Sequence, residues 1–329
     1  MVFLIRRLVF YIVAAWFALT VNFFIPRAMP GNAVEVMMSK FPSLQPSAYK
    51  ALVAALGVGR GGSLLHQYST YLADVFQGHF GTSLSEYPAN VSTLLAQTLP
   101  WTVVLVGTAT IFSFALGTLL GIVAAWRRGG WLDRVLPALG FFQAVPYFFL
   151  AILIVDLLAV HLHWFPASGG YNGVEGTTPG WNWSFIQSAL DHSVLPALTI
   201  ALASTFGWML QMRNVMLMTV SEDYVLVAEA KGLSRRRVVI SYAARNAILP
   251  NISGFALALG FVVSGAIVME VVFSYPGVGL LLYNAVTSDD YPLMQAVFFM
   301  ISLAVLFANL LADAAYVIAD PRVRSQAAS

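Results

Sequence analysis

The chain has 329 residues, is 59% hydrophobic and 10% charged, and carries a net charge of +2. Soluble domains carry about a quarter charged residues, so this composition excludes a water-soluble globular protein, and so small a charge offers no footing for nucleic acid. Cysteine is absent, which removes disulfides, thiolate metal sites and cysteine nucleophiles together.

Arg6 and Arg7 precede an apolar run, Leu8–Ile25. It exceeds the roughly 7–15-residue core of a signal peptide, and no small-x-small cleavage pattern follows, so it reads as a retained first span. Further apolar runs at about Thr98–Trp126, Val135–Val160, Val194–Met212, Ile248–Met269 and Leu293–Ala319 approach or exceed the roughly 20 residues that cross a bilayer. The expectation is an all-α polytopic membrane protein with about six transmembrane helices. Residues 1–25 would form the first helix, 26–97 an extracytoplasmic segment, 98–319 a five-helix core with a cytoplasmic loop at 213–247, and 320–329 a tail.

Orientation follows from Lys and Arg. A cytoplasmic N-terminus puts Arg6, Arg7, Arg127, Arg128, Arg134, Arg213, Lys231, Arg235, Arg236, Arg237, Arg245, Arg322 and Arg324 inside. Only Arg27, Lys40, Lys50 and Arg60, all in the long first outer segment, fall outside. Both termini are therefore expected in the cytoplasm. Within that outer segment Pro42, Pro46 and the glycines of 57–62 act as breakers. Leu64, Leu65, Tyr68, Leu72 and Val75 recur at helical spacing, which predicts a short amphipathic helix on the outer face. The stretch Ala167–Trp183 has no periodicity and reads as an irregular loop, with Trp164, Trp181 and Trp183 at the interface.

Small residues recur every four positions in two spans: Ser113, Gly117 and Gly121, then Ala256, Gly260 and Ser264. Such stripes let helices approach closely in lipid. The second could instead line a passage or meet another membrane subunit.

The longest polar interruption of the second half is Ser221–Pro250, with Lys231, Arg235, Arg236, Arg237 and Arg245. Ser221 can cap a short helix, with Glu222 and Asp223 suited to its first turn. Gly232 can take the left-handed conformation that ends it. Ser234 can cap a second helix, Arg235–Leu249, running into the fifth span. A helix–turn–helix along the cytoplasmic surface results, although basic residues that fix topology or bind anionic lipid would also account for the charge.

This stretch resembles the cytoplasmic motif of ABC importer permeases, in the dipeptide/oligopeptide/nickel branch. The matching positions are Asp223, Tyr224, Val225, Ala228, Ala230, Lys231, Gly232, Leu233, Ser234, Val238, Arg245, Asn246, Ala247 and Pro250. Phe3–Leu8, Met29–Gly31, Gln67–Leu72 and Phe80–Ser83 resemble the family's amino-terminal third. Met269–Gly279, Asp290–Pro292, Asn309–Asp313 and Ala319–Arg324 resemble its carboxyl end. The chain departs from the pattern at Leu226 and Val227, where the general motif has Glu and Ala, at Glu229, where the branch has Arg, and at His79, where it has Asp.

The resemblance implies the membrane permease of a binding-protein-dependent importer of peptides or a related small solute, in the prokaryotic inner membrane. The Tyr224–Leu233 helix would be a coupling helix seated on a cytoplasmic ATPase. Ala228, Ala230 and Gly232 would allow close seating, Lys231 and the Arg235–Arg237 cluster would pair with acids on the ATPase rim, and Ser234 and Arg245 would belong to the same coupling site. Two ATPase subunits, an extracytoplasmic binding protein and a second homologous permease, forming a heterodimer, would complete the assembly. Ala256, Gly260, Ser264 and Glu270 would lie along the passage or permease interface. This chain would bind no cofactor. ATP and magnesium would enter through the ATPases, because a phosphate-binding loop needs Gly-Lys-Ser/Thr and Lys40, Lys50 and Lys231 all lack a preceding glycine.

Other readings compete. His161, His163 and His192 could be an outer metal site, although interfacial anchoring is the plainer account. Asp156, Asp313 and Glu270 lie in or beside spans, where acids are costly unless paired or wet. They could instead serve ion coupling in a stand-alone secondary transporter. Asp313 shares a helical face with Asn309, which suggests a structural hydrogen-bond cluster. Glu270 could gate the exit, contact a cationic peptide terminus, or simply sit at the interface.

Overall fold

The computed structural model describes residues 2–28, 63–127, 129–173, 176–262 and 267–319. The Met29–Gly31 motif, Lys40, Lys50, Arg60, Arg128, Ser264 and the 320–329 tail lie outside the described residues. Every regular element among those described is helical, save one bridge between Thr82 and Asn90.

Four helices are long and apolar enough to cross a membrane: α1 (Val2–Ala28), α3 (Val91–Trp126), α7 (Trp183–Thr219) and α13 (Tyr291–Ala319). α2 (Leu64–Phe76) is the amphipathic outer helix expected from its spacing. It leans on α1 through Tyr68 and Tyr71, whose rings pack on Phe23 at 5.1 and 5.5 Å. Asn22 donates to the Tyr71 hydroxyl at 3.4 Å. Burial pushes that hydroxyl up to about 12, so it stays protonated at neutral pH.

The third expected span is broken. It divides into α4 (Trp131–Leu139), α5 (Phe141–Ala144) and α6 (Tyr147–Ile154), which continues as π-helix through Val155–His161. Proline forces its predecessor out of the helical region, and Val145 duly takes φ −77°, ψ 125° before Pro146. α7 begins at Trp183, so part of the expected outer loop is helix. Asn182 caps it, accepting from Phe185 N at 2.8 Å. The rest of that loop is irregular, as expected, but pinned. The ring of Trp101 stacks on Tyr171 and meets Phe185 and Tyr275 edge-on. Trp164, Trp181 and Trp183 are exposed, as interfacial aromatics are.

Beyond α7, α8 (Asp223–Ala230) turns at Gly232 into α9 (Arg235–Arg237). This passes through π-helical Val238–Ala244 into α10 (Arg245–Phe261). After the undescribed 263–266 come α11 (Ile267–Val272) and α12 (Val278–Thr287). α10 packs on α13 and α7, and α1 packs on α13.

The most extensive contact is between α3 and α7. A Cβ on Gly121 would stand 2.6 Å from Met209 O and 2.7 Å from Met212 Cβ; one on Gly117 would stand 2.7 Å from Trp208 Cβ and overlap Thr205 O. Ser113 is buried on the same face. The first small-residue stripe is therefore helix packing within the chain, the route to close approach where lipid removes the hydrophobic drive.

Gly117→Leu should strain this contact by about 1–3 kcal/mol and lower the thermal midpoint of the detergent-solubilised protein. Gly107→Leu, on the same helix where an added Cβ meets nothing within 4 Å, should leave it nearly unchanged. Equal midpoints for the two variants would refute the assignment.

Candidate functional site

The loop that follows α7 is built on a buried apolar floor. Val225 and Ala228, on one face of α8, are 1% and 2% exposed. They pack with Met212 and Met216 of α7 and with Val238, Val239, Ala243 and Ala244, and Leu233 lies against the same core. Gly232 has φ +73°, the left-handed turn expected of it. Asn246 donates to the Tyr224 hydroxyl at 2.9 Å, and Arg235 Nη2 to Trp126 O at 3.4 Å. These bonds tie α8 to α10, and α9 to the end of α3.

Three expectations change. Ser221 does not cap α8: Glu222 occupies that position, and the Ser221 hydroxyl donates to Met218 O at 2.7 Å. Ser234 stands at the N-cap of α9 but makes no side-chain cap bond. Ala228, expected to face a partner, is turned inward. The outward apolar face is Tyr224, Leu226 and Val227, the last two about half exposed, with Ala230 also exposed. Lys231, Arg236, Arg237 and Arg245 are exposed beside it, and none makes an ion pair among the described residues.

Between α3, α5, α6, α7, α10 and α11 lies a cleft of about 430 Å³. Its polar lining is Thr110, Gln143, Tyr147, Ser204, Trp208 and Gln211, with Ala258 and Val262 from α10. The Ala256–Gly260 stripe lies elsewhere: Gly260 is buried against Ala308 of α13, with no room for a Cβ. It serves packing within the chain rather than the wall of the cleft. Helix rotation explains this, since Gly254, Ala258 and Val262 form the next face round.

Two carboxylates organise the end of the molecule remote from that loop, both fully buried. Glu270 accepts from Thr102 Oγ1 at 2.6 Å, Gly279 N at 2.6 Å and Leu280 N at 3.2 Å. Thr102 in turn accepts from Val278 N at 2.8 Å. The carboxylate thus caps α12 from outside that helix, where orphan N–H groups and the dipole favour negative charge. Gly277 must be glycine, because a Cβ there would overlap the Glu270 carboxyl group. Glu270 is therefore committed to structure and does not face the cleft. Burial raises the nearby Tyr275 hydroxyl above its ordinary value.

Asp290 does the same for α13 and the Phe80–Ser83 motif. Its Oδ2 accepts from Ser83 Oγ, Leu84 N, Ser85 N and Ser85 Oγ at 2.5–2.9 Å, and its Oδ1 from Leu293 N at 3.2 Å.

The remaining acids are also accounted for. Asp313 pairs with Arg7 and accepts from Tyr11 at 2.5 Å, so its cluster joins α13 to α1 rather than to Asn309. Asp156 is exposed, with His161 Nδ1 at 3.6 Å. His161 and His192 turn Nδ1 to the carbonyls of Asp156 and Ser188. None of the three candidate acids lines the cleft. The residues that do, Gln143 and Gln211, were legible only as polar side chains amid apolar ones.

Residues 117–325 match the family described as binding-protein-dependent transport system inner membrane component. A permease protein of Brucella suis is 35% identical, over 93% of this chain and 94% of its own. The di/tripeptide transport system permease protein of Pseudomonas aeruginosa is 31% identical over 98% and 99%. The oligopeptide transport system permease protein of Bacillus subtilis is 30% identical over 98% of each.

Asp290→Ala should strand buried donors that would each cost about 1–3 kcal/mol, markedly lowering the thermal midpoint. Asp290→Asn, which keeps one oxygen, should fall between, and Asp156→Ala on the exposed π-helical segment should be nearly neutral. A wild-type midpoint for Asp290→Ala would contradict the capping role.

Proposed function

The chain belongs to the family of binding-protein-dependent transport system inner membrane components, and on that premise we propose that it is the permease subunit of an ATP-driven importer of short peptides. The observation that carries the reading is the outward apolar face of Tyr224, Leu226 and Val227 on α8, flanked by exposed Lys231, Arg236, Arg237 and Arg245, which make no ion pair among the described residues. A solvated loop has no use for such a face, whereas a groove in a cytoplasmic ATPase would cover it, with acids at its rim meeting the basic residues. Peptides are favoured because relatives such as those of Pseudomonas aeruginosa and Bacillus subtilis carry peptide-transport names and because the cleft sets a few polar side chains in a largely apolar lining, with no charged group among its described residues.

In this reading both termini are cytoplasmic, and a second, related permease faces the cleft to complete the passage. An extracytoplasmic binding protein delivers the solute to the outer end. Two ATPase subunits bind ATP and magnesium. Their closure moves α8, and with it the rod from Met216 to the cleft wall, so that the passage opens alternately to each side. This chain performs no covalent chemistry. The rival reading, an ion-coupled secondary transporter, would need an acid in the cleft. Asp313 and Glu270 are instead held by Arg7 and by the α12 N-terminus.

Leu226→Glu combined with Val227→Glu should leave the fold intact, because both side chains are exposed. It should abolish co-purification of the ATPase and reduce ATP-driven uptake at least tenfold. Retained assembly and uptake would overturn the docking assignment.

A further inference from the structure

Resting on the peptide-permease reading, we propose that Gln143 and Gln211 determine what this half of the passage accepts, by hydrogen bonding to the backbone amides of a peptide irrespective of its side-chain charge. The cleft of about 430 Å³ is within the roughly 300–1,000 Å³ typical of small-molecule sites. Among the described residues that line it there is no carboxylate, ammonium, guanidinium or imidazole.

The two glutamines are set in parallel fashion. A Cβ on Gly207 would stand 3.2 Å from Gln143 Nε2, and one on Gly254 would stand 3.8 Å from Gln211 Nε2. Each amide therefore rests over bare backbone of a neighbouring helix. Trp208 lines the same cleft, its indole 3.2 Å from where a Gly254 Cβ would be. The Gln143 and Gln211 side chains are exposed to the cleft and make no hydrogen bond among the described residues. Polar groups at membrane depth are costly without partners and mark substrate pathways.

A primary amide offers two donors and an acceptor, the complement of a peptide group. Being neutral, it imposes no sign on what passes. A fixed charge at either position would act on a ligand charge a few ångströms away at low effective dielectric, where such interactions are strong.

The test uses the whole importer, assembled in proteoliposomes with its permease partner, ATPases and binding protein, the last at saturation. Uptake of Ala-Lys-Ala and Ala-Asp-Ala is compared. Wild type should carry both at rates within about twofold. Gln143→Glu and Gln211→Glu should each raise the Lys-to-Asp uptake ratio about tenfold, and Gln143→Lys should lower it by a similar factor. Gln143→Leu and Gln211→Leu should slow both peptides alike while ATP hydrolysis persists. If wild type carries both peptides and the charged variants keep its ratio, the glutamine assignment is wrong and the permease reading stands. If wild type carries neither while its ATPase is active, the peptide reading fails and this inference with it.

Discussion

Gly117 and Gly121 bring the backbones of α3 and α7 into direct contact, and the rest of the molecule is arranged around that contact. Lipid offers no hydrophobic drive for two apolar helices to associate, so close packing must supply it. Once α7 is held there, its length does the work of connection. Its Ser204–Gln211 face walls the cleft. Lower down, Met212 and Met216, both fully buried, form the floor beneath α8. The surface proposed for the ATPase and the cleft proposed for the substrate thus share one continuous helix.

The opposite end of the molecule is held differently, by charge rather than shape. Glu270 and Asp290 are buried without a basic partner, yet each is surrounded by N–H and O–H donors. A carboxylate with several backbone donors and a helix N-terminus needs no cation. Two connections that would otherwise leave unsatisfied N–H groups, at the starts of α12 and α13, are satisfied in this way. The same arrangement keeps both carboxylates out of the cleft lining. Asp313 is likewise engaged, tying α13 to α1 through Arg7 and Tyr11.

Much of this was legible in advance. The long spans α1, α3, α7 and α13 follow from apolar length alone, and the turn at Gly232 from the one residue type that adopts positive φ freely. The amphipathic α2 follows from spacing. The break at Val145–Pro146 was signalled by the proline, but a hydropathy average passes over it. Which face of α8 looks outward was not legible. Val225 and Ala228 are apolar or small, as are Leu226 and Val227, and only the floor of Met212, Met216 and Val239 selects between them. The apparent loss of motif residues at Leu226 and Val227 is therefore the exposed face itself.

The partners of Glu270 and Asp290 were out of reach for a further reason. Thr102 lies 168 residues from Glu270, and Ser83 lies 207 from Asp290; no local pattern couples such distant positions. What the amino-acid order determined by itself was membrane residence, helical class and the family motif, because these rest on local composition and period. Tertiary structure alone decided which polar residues face the cleft, which acids are consumed in capping, and which side of α8 is free. Those outcomes depend on which helices meet, and a helix presents every side of itself until a neighbour covers one.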